Sequence, residues 1–223
     1  MAHSKMTPDE ALRSLMTGNA NFAAGNSEKA PFGLCESKKK ELLEGQNPFA
    51  VVVCCSDSRI NPQYLFDCEL GDIFVIRVAG CVLDDVSIGS IEYALEFFST
   101  PLIMILGHQS CGAVKAAVDG ATGSRYLNAI VDRIAPSVEK VRKRGGPENS
   151  LWNDSVVENA LSTARGLLKR SEVVRERVKK KELKVVAAFF NLMSARVELV
   201  SETLSIEGPA PKLVCYQKKD EIK

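Results

Sequence analysis

Histidine is nearly absent from this chain, which carries two in 223 residues. His3 stands in a polar N-terminal stretch, so His108 is the one candidate for imidazole chemistry in the interior. An excess of charge of one sign is missing as well. The 29 Lys and Arg against 28 Asp and Glu leave a net charge of +1, with no electrostatic case for nucleic acid as a partner. No window approaches the roughly 18 consecutive apolar residues of a membrane span. Met1 to Glu10 is polar and lacks the apolar stretch of an export signal, so a cytoplasmic protein is expected. The seven cysteines (35, 54, 55, 68, 81, 111 and 215) are odd in number and scattered. They argue against a disulfide framework and for reduced thiols, some as ligands and some as small apolar core residues. Internal repeats and low-complexity segments are also lacking. What remains, 45% hydrophobic and 26% charged, is ordinary for a globular protein, and the length suits one α/β domain over 1–223.

Two apolar runs stand out. Phe49-Ala50-Val51-Val52-Val53 is β-branched and stops at Cys54-Cys55-Ser56-Asp57-Ser58-Arg59. A continuous run of this kind reads as a strand buried on both faces, as in a parallel sheet. Ligands of such sheets bind beyond the C-terminal strand ends. The second run, Pro101 to Gly107, ends in His108-Gln109-Ser110-Cys111-Gly112. Two parallel strands would thus deliver Cys55, His108 and Cys111 to one rim. These are soft and borderline donors, in the number that a catalytic zinc takes from protein while its fourth position stays open. Taken alone, His-x-x-Cys is a weak signal.

Between the runs, strands and helices alternate. Thr7 can cap a helix opened by Pro8, whose stripe Leu12, Leu15, Met16, Phe22 and Ala23 has no evident partner within a compact sheet domain. Residues 36–44 form a lysine-rich, solvated helix. Strands are expected at 73–78, 101–107, 184–190 and 196–200, and helices from Asp85 or Ser87 through Phe98, at 112–118, 126–144 and 153–180. The fold class is therefore α/β: a mainly parallel four-stranded sheet with a fifth edge strand, helices on both faces and an N-terminal helical arm, residues 1–30.

Three segments together, Cys-x-Asp-Ser-Arg at 55–59, Gly-Asp-Ile-Phe-Val-Ile-Arg-Val-Ala-Gly at 71–80 and Gly-His-x-x-Cys-Gly at 107–112, resemble the β-class carbonic anhydrases. The resemblance begins at Thr7-Pro8-Asp9-Glu10-Ala11-Leu12 and Gly18-Asn19, runs through Val118 and continues more weakly to Val197. It implies a lyase with one Zn2+ per subunit held by Cys55, His108 and Cys111, which hydrates CO2 to bicarbonate and a proton through a zinc-bound hydroxide. It further implies that Arg59 holds Asp57 as an acceptor for that hydroxide's proton, that the amide of Gln46 binds bicarbonate, and that Phe74 and Tyr93 line a small apolar pocket. Gly112 would let backbone come close to the metal. The first helix would embrace a second subunit, giving a homodimer or larger homo-oligomer.

Bland readings stand beside these: a salt bridge in a tight turn for Asp57 and Arg59, an exposed loop residue for Gln46, plain core for Phe74 and Tyr93. Relatives with the same metal motif hydrolyse carbonyl sulfide or carbon disulfide. A non-catalytic protein could instead close a structural zinc site with Asp57 or Cys54 as fourth ligand. The chain also departs from the family pattern. Cys54 stands where a small residue is usual, and strand alternation lets only one of Cys54 and Cys55 face the metal. Cys81 replaces an asparagine, which puts a local hydrogen bond in doubt, and 189–197 keeps only part of the usual pattern. Some members carry a tryptophan three residues before the first ligand, in a bicarbonate pocket that stabilises an inactive state. Val52 stands there, so Asp57 is expected paired with Arg59.

Overall fold

The computed structural model describes residues 6–29, 35–201 and 204. His3, Cys215 and the outermost residues of the expected arm lie outside them. Five strands, β1 Ala50–Cys54, β2 Ile73–Arg77, β3 Leu102–His108, β4 Lys184–Asn191 and β5 Arg196–Ser201, form one sheet in the order β2-β1-β3-β4-β5. The first four are parallel, and β5 runs antiparallel along the β4 edge. The helices are α1 Pro8–Ala23, α2 Glu36–Glu44, α3 Pro62–Leu65, α4 Asp85–Phe98, α5 Gly112–Val118, α6 Arg125–Arg144, α7 Leu151–Arg170 and α8 Glu172–Lys179.

Strand order decides how the helices are shared between the two faces. From β1 to β2 the chain steps one way across the sheet; from β2 to β3 and from β3 to β4 it steps the other way. Right-handed crossovers then put α3 on one face and α4 to α8 on the other. Burial follows this division. Val51, Val53, Ile103, Ile105 and Val185 sit beneath α4 to α8, whereas Val52, Cys54, Met104, Leu106 and Val186 face the opposite side. That second face receives only one short helix, α3, and the flanking Ile60, Phe66 and Cys68 from the crossovers, and α1 packs beside them.

The stripe of α1 therefore has a partner within its own chain. Ala11 and Leu15 are fully buried there, and Leu12, Met16 and Phe22 pack beside them. Helix entry follows a capping box, in which the Glu10 amide donates to Thr7 Oγ1 at 3.3 Å and Glu10 Oε2 accepts from the Thr7 amide at 2.7 Å. Gly18 and Asn19 make the contact intimate. A Cβ on Gly18 would lie 1.8 Å from the carbonyl oxygen of Phe66. Asn19 Nδ2 donates to the carbonyls of Leu65 and Ala195, both at 3.1 Å, and its Oδ1 accepts from the Val197 amide at 2.7 Å. One side chain thus ties α1 to α3 and β5.

The other departure concerns the helix expected over 153–180, which is broken in two. Ser171 adopts extended backbone and its hydroxyl accepts from the Val174 amide at 3.1 Å, ending α7 and capping α8. Apolar periodicity continues across the break, which hides it from pattern reading. The α2 helix has no buried residue, in keeping with a solvated face.

Gly18→Ala gives a test by sign. In an unconfined helix the change stabilises by about 1 kcal/mol; against the Phe66 carbonyl it should destabilise by about 1–3 kcal/mol. Urea unfolding measures the difference, and a stabilised variant would contradict the packing of α1 on its own sheet.

Candidate metal centre

β1 and β3 are neighbours whose onward connections leave for opposite faces, which opens a crevice at their C-terminal ends. Three donors converge there. Cys55 follows β1, His108 ends β3, and Cys111 lies immediately before the first turn of α5. Their ligand atoms all fall within 4.8 Å of one another, and the three residues are buried. The two sulfurs are 3.9 Å apart. His108 Nδ1 lies 3.0 Å from the Gln109 carbonyl, which can only accept, so Nδ1 carries the proton. Nε2 is then a bare lone pair, buried and without a hydrogen-bond partner. A buried imidazole lone pair facing two thiols fits a soft or borderline cation.

Charge is distributed to the same end. Cys55 is held well below the ordinary thiol range by the Cys111 thiol that donates to it, with the Gly80 amide (3.3 Å from Cys55 Sγ) acting in the same direction. Cys111, as the donor, is pushed up. The other two thiols nearby stay neutral. Burial raises Cys54 to about 12, and it lies on the opposite face of the sheet. Cys81 is raised well above the thiol range by the same cause, and it donates to the Leu106 carbonyl at 3.0 Å.

Asp57 occupies the open side of the cluster. Arg59 holds it in a fork, Nε to Oδ1 at 2.9 Å and Nη2 to Oδ2 at 2.7 Å, with the Arg59 amide on Oδ1 at 3.0 Å. These bonds, with the Arg59 side chain foremost, hold the carboxyl well below the usual carboxylate range. Oδ2 stands 3.9 Å from His108 Nε2. Arg77, at the end of β2, braces the loop from below through bonds to the carbonyls of Cys55 (3.2 Å) and Asp57 (2.7 Å).

Comparison with known proteins gives the family. A family model described as carbonic anhydrase matches residues 50–197. The chain belongs to the carbonic anhydrase family. It is 37% identical over 198 residues to a carbonic anhydrase of Mycolicibacterium smegmatis, covering 87% of this chain and 94% of the relative. It is 36% identical over 196 residues to carbonic anhydrase 2 of Mycobacterium tuberculosis, covering 86% and 92%. The fold is that of the β-class. A tetrameric β-carbonic anhydrase of Sordaria macrospora superposes with TM-score 0.70 at 20% identity, over 87% of this chain and 98% of that one. A Coccomyxa β-carbonic anhydrase in complex with acetazolamide does so with TM-score 0.65 at 22% identity, over 86% and 87%. The general reaction of carbonic anhydrases is the hydration of CO2.

Not every residue suggested by the family resemblance reaches the crevice. Cys55, Asp57, Arg59, His108, Cys111 and Gly112 share one rim. Gln46 is exposed and precedes β1 at its far end, separated from Cys55 by a strand that spans roughly 16 Å. Phe74 pairs with Val51 toward that same far end. Tyr93 is 47% exposed and stacks on Phe97 in a cluster with Phe74 and Phe98. Gly112 adjoins Cys111, but a Cβ there would meet open space within the chain, so no close approach requires a glycine. Sequence reasoning missed Arg77; an arginine closing a buried strand at the ligand-bearing sheet end was its available signal. Beside Cys81, where a local hydrogen bond was in doubt, Asn159 Nδ2 donates to the Gly80 carbonyl at 2.6 Å.

Asp57 titrates lower folded than unfolded, so its pairing with Arg59 stabilises the fold above the ordinary carboxylate pKa of about 3.9 and loses that effect in acid. The Arg59 side chain is 49% exposed, so solvent screening limits the effect to under about 1 kcal/mol. Asp57→Asn should therefore be slightly less stable than wild type near neutrality, with the gap closing in strong acid. A gap that widens on acidification, by urea unfolding, would contradict the pairing.

Proposed function

We propose that Cys55, His108 and Cys111 hold one Zn2+ per subunit and that the chain uses it to hydrate CO2 to bicarbonate and a proton. The buried, unpartnered Nε2 of His108 beside two thiols is the observation that carries this reading. A donor set of two sulfurs and one imidazole suits zinc, and three protein donors leave a coordination position free. A closed structural site would need a fourth. Cys54 lies across the sheet and Asp57 is engaged by Arg59, which favours the open position. When bound, the ion would lower the pKa of water from 15.7 toward about 7 and supply the oxygen nucleophile that the carbon of CO2 requires.

The chain's own groups set the rest. Asp57, ionised and held in the Arg59 fork, can accept a proton-bearing O–H at the open side and cannot donate. A reacting water is thereby oriented with its proton toward Oδ2 and a lone pair toward CO2. Both cysteines must be thiolates to bind the ion, and their two charges cancel its own. A neutral centre withdraws less electron density than one with three histidines, so activity should climb through mildly alkaline pH as a single-proton curve, with Asp57 already ionised throughout.

The same reading makes the chain a homo-oligomer. Gln46 and Phe98 line one surface cleft of about 570 Å³, and Phe98 adjoins Phe74 and Tyr93. With Phe97 71% and Val86 78% exposed, this is an apolar face open to a second copy. Since one chain cannot bring Gln46, Phe74 and Tyr93 to its own crevice, their substrate-lining roles require delivery from a partner subunit. The tetrameric Sordaria structure supports association in this fold.

Zinc content measured alongside CO2 hydration tests the proposal. Cys55→Ser, His108→Ala and Cys111→Ser should each lose zinc and activity, whereas Cys54→Ser should retain both. Equal zinc loss from Cys54→Ser and Cys55→Ser would contradict the ligand set. Phe97→Glu should give a monomer that keeps zinc and loses most activity; a fully active monomer by light scattering would contradict the shared site.

A further inference from the structure

The turn that carries two of the three donors is held from outside. Ser110, next to Cys111, has φ +55°, a left-handed conformation uncommon for a residue with a Cβ. Its amide donates to Asn153 Oδ1 at 3.0 Å, and its carbonyl accepts from Arg59 Nη2 at 3.2 Å. The carbonyl of Cys111, already engaged by the Lys115 amide of α5, also accepts from Trp152 Nε1 at 2.8 Å.

Trp152 and Asn153 are consecutive in the first turn of α7. Farther along the same helix, Val156 closes over Gly107, where a Cβ would meet its side chain at 2.8 Å. Asn159 holds the Gly80 carbonyl, and the Gly80 amide donates to Cys55 Sγ. One helix therefore touches backbone beside every donor, although α7 itself supplies none. Neither the indole N–H nor the Asn153 amide serves the helix itself; both are directed out of it at the turn.

We propose that the first turns of α7 form the positioning frame of the metal centre, with Trp152 and Asn153 as its positioning residues. They keep the 108–111 turn in the conformation that presents His108 and Cys111 together, so the ion binds without backbone reorganisation and leaves slowly. This rests on the reading that Cys55, His108 and Cys111 hold Zn2+. Trp152 is the only tryptophan in the chain, and its N–H bonds to a ligand's own carbonyl. Its emission should accordingly report occupancy of the site.

The test follows zinc release from the purified protein into a chromogenic chelator, after zinc content has been measured. Trp152→Phe, which keeps an aromatic ring and removes the N–H, and Asn153→Ala should each release zinc about 10- to 100-fold faster, the affinity loss typical of removing groups that orient metal ligands being read here in the release rate. Asn153→Asp retains an acceptor for the Ser110 amide and should stay near the wild-type rate. Ser162→Ala, which removes a bond to Glu158 elsewhere on α7, should release at the wild-type rate and controls for loss of helix stability. Wild-type tryptophan emission should shift as zinc is withdrawn. Release rates within about twofold of wild type for both Trp152→Phe and Asn153→Ala would overturn the proposal, as would emission that ignores the metal. If Asn153→Ala fails to fold, Trp152→Phe decides. Wild-type protein that binds no zinc removes the ligand reading as well; full zinc stoichiometry with unchanged release removes only this one.

Discussion

The handedness of strand crossovers governs this molecule. Because β1 hands the chain to β2 on one face and β3 hands it onward on the other, the ends of these adjacent strands diverge and leave a crevice between them. Cys55 leaves β1 at that point and His108 ends β3 there, so fold and site come from one topological fact. The same fact leaves the opposite face nearly bare of crossover helices. Helix α1, whose Leu15 and Ala11 are fully buried, shares the cover of Val52, Cys54, Met104 and Leu106 on that face with Ile60, Leu65 and Phe66.

Burial then separates the thiols into two populations. Cys54 and Cys81 sit in apolar surroundings that favour the neutral form, and they behave as small core residues. Cys55 lies one residue from Cys54 yet on the other face, where the Cys111 thiol and the Gly80 amide favour its thiolate. Strand alternation alone makes that difference. A chain with an adjacent pair of cysteines thereby presents one reactive sulfur and hides the other.

Much of this was legible from residues. Buried parallel strands write themselves as unbroken apolar runs, so β1 and β3 were evident, and with them the rim where Cys55, His108 and Cys111 meet. The Asp57 and Arg59 pair, two residues apart in a turn, is local enough for spacing to reveal. The seat of α1 was not legible, because which face needs covering depends on strand order, and no periodicity encodes that order. The break at Ser171 was hidden by apolar spacing that persists across it. Gln46, Phe74 and Tyr93 were named by motif, but a motif does not say at which end of the sheet a residue stands, and these three stand away from the crevice. Trp152, Asn153 and Arg77 work through backbone atoms far away in sequence, where side-chain identity gives no warning.

X-ray absorption at the zinc edge of the purified protein tests the central claim most directly. The account predicts a four-coordinate ion with two sulfurs at about 2.3 Å, one nitrogen at about 2.0–2.1 Å and one further light atom exchangeable for a small anion. Three sulfurs, a fourth protein donor that no added anion displaces, or absence of zinc would contradict it.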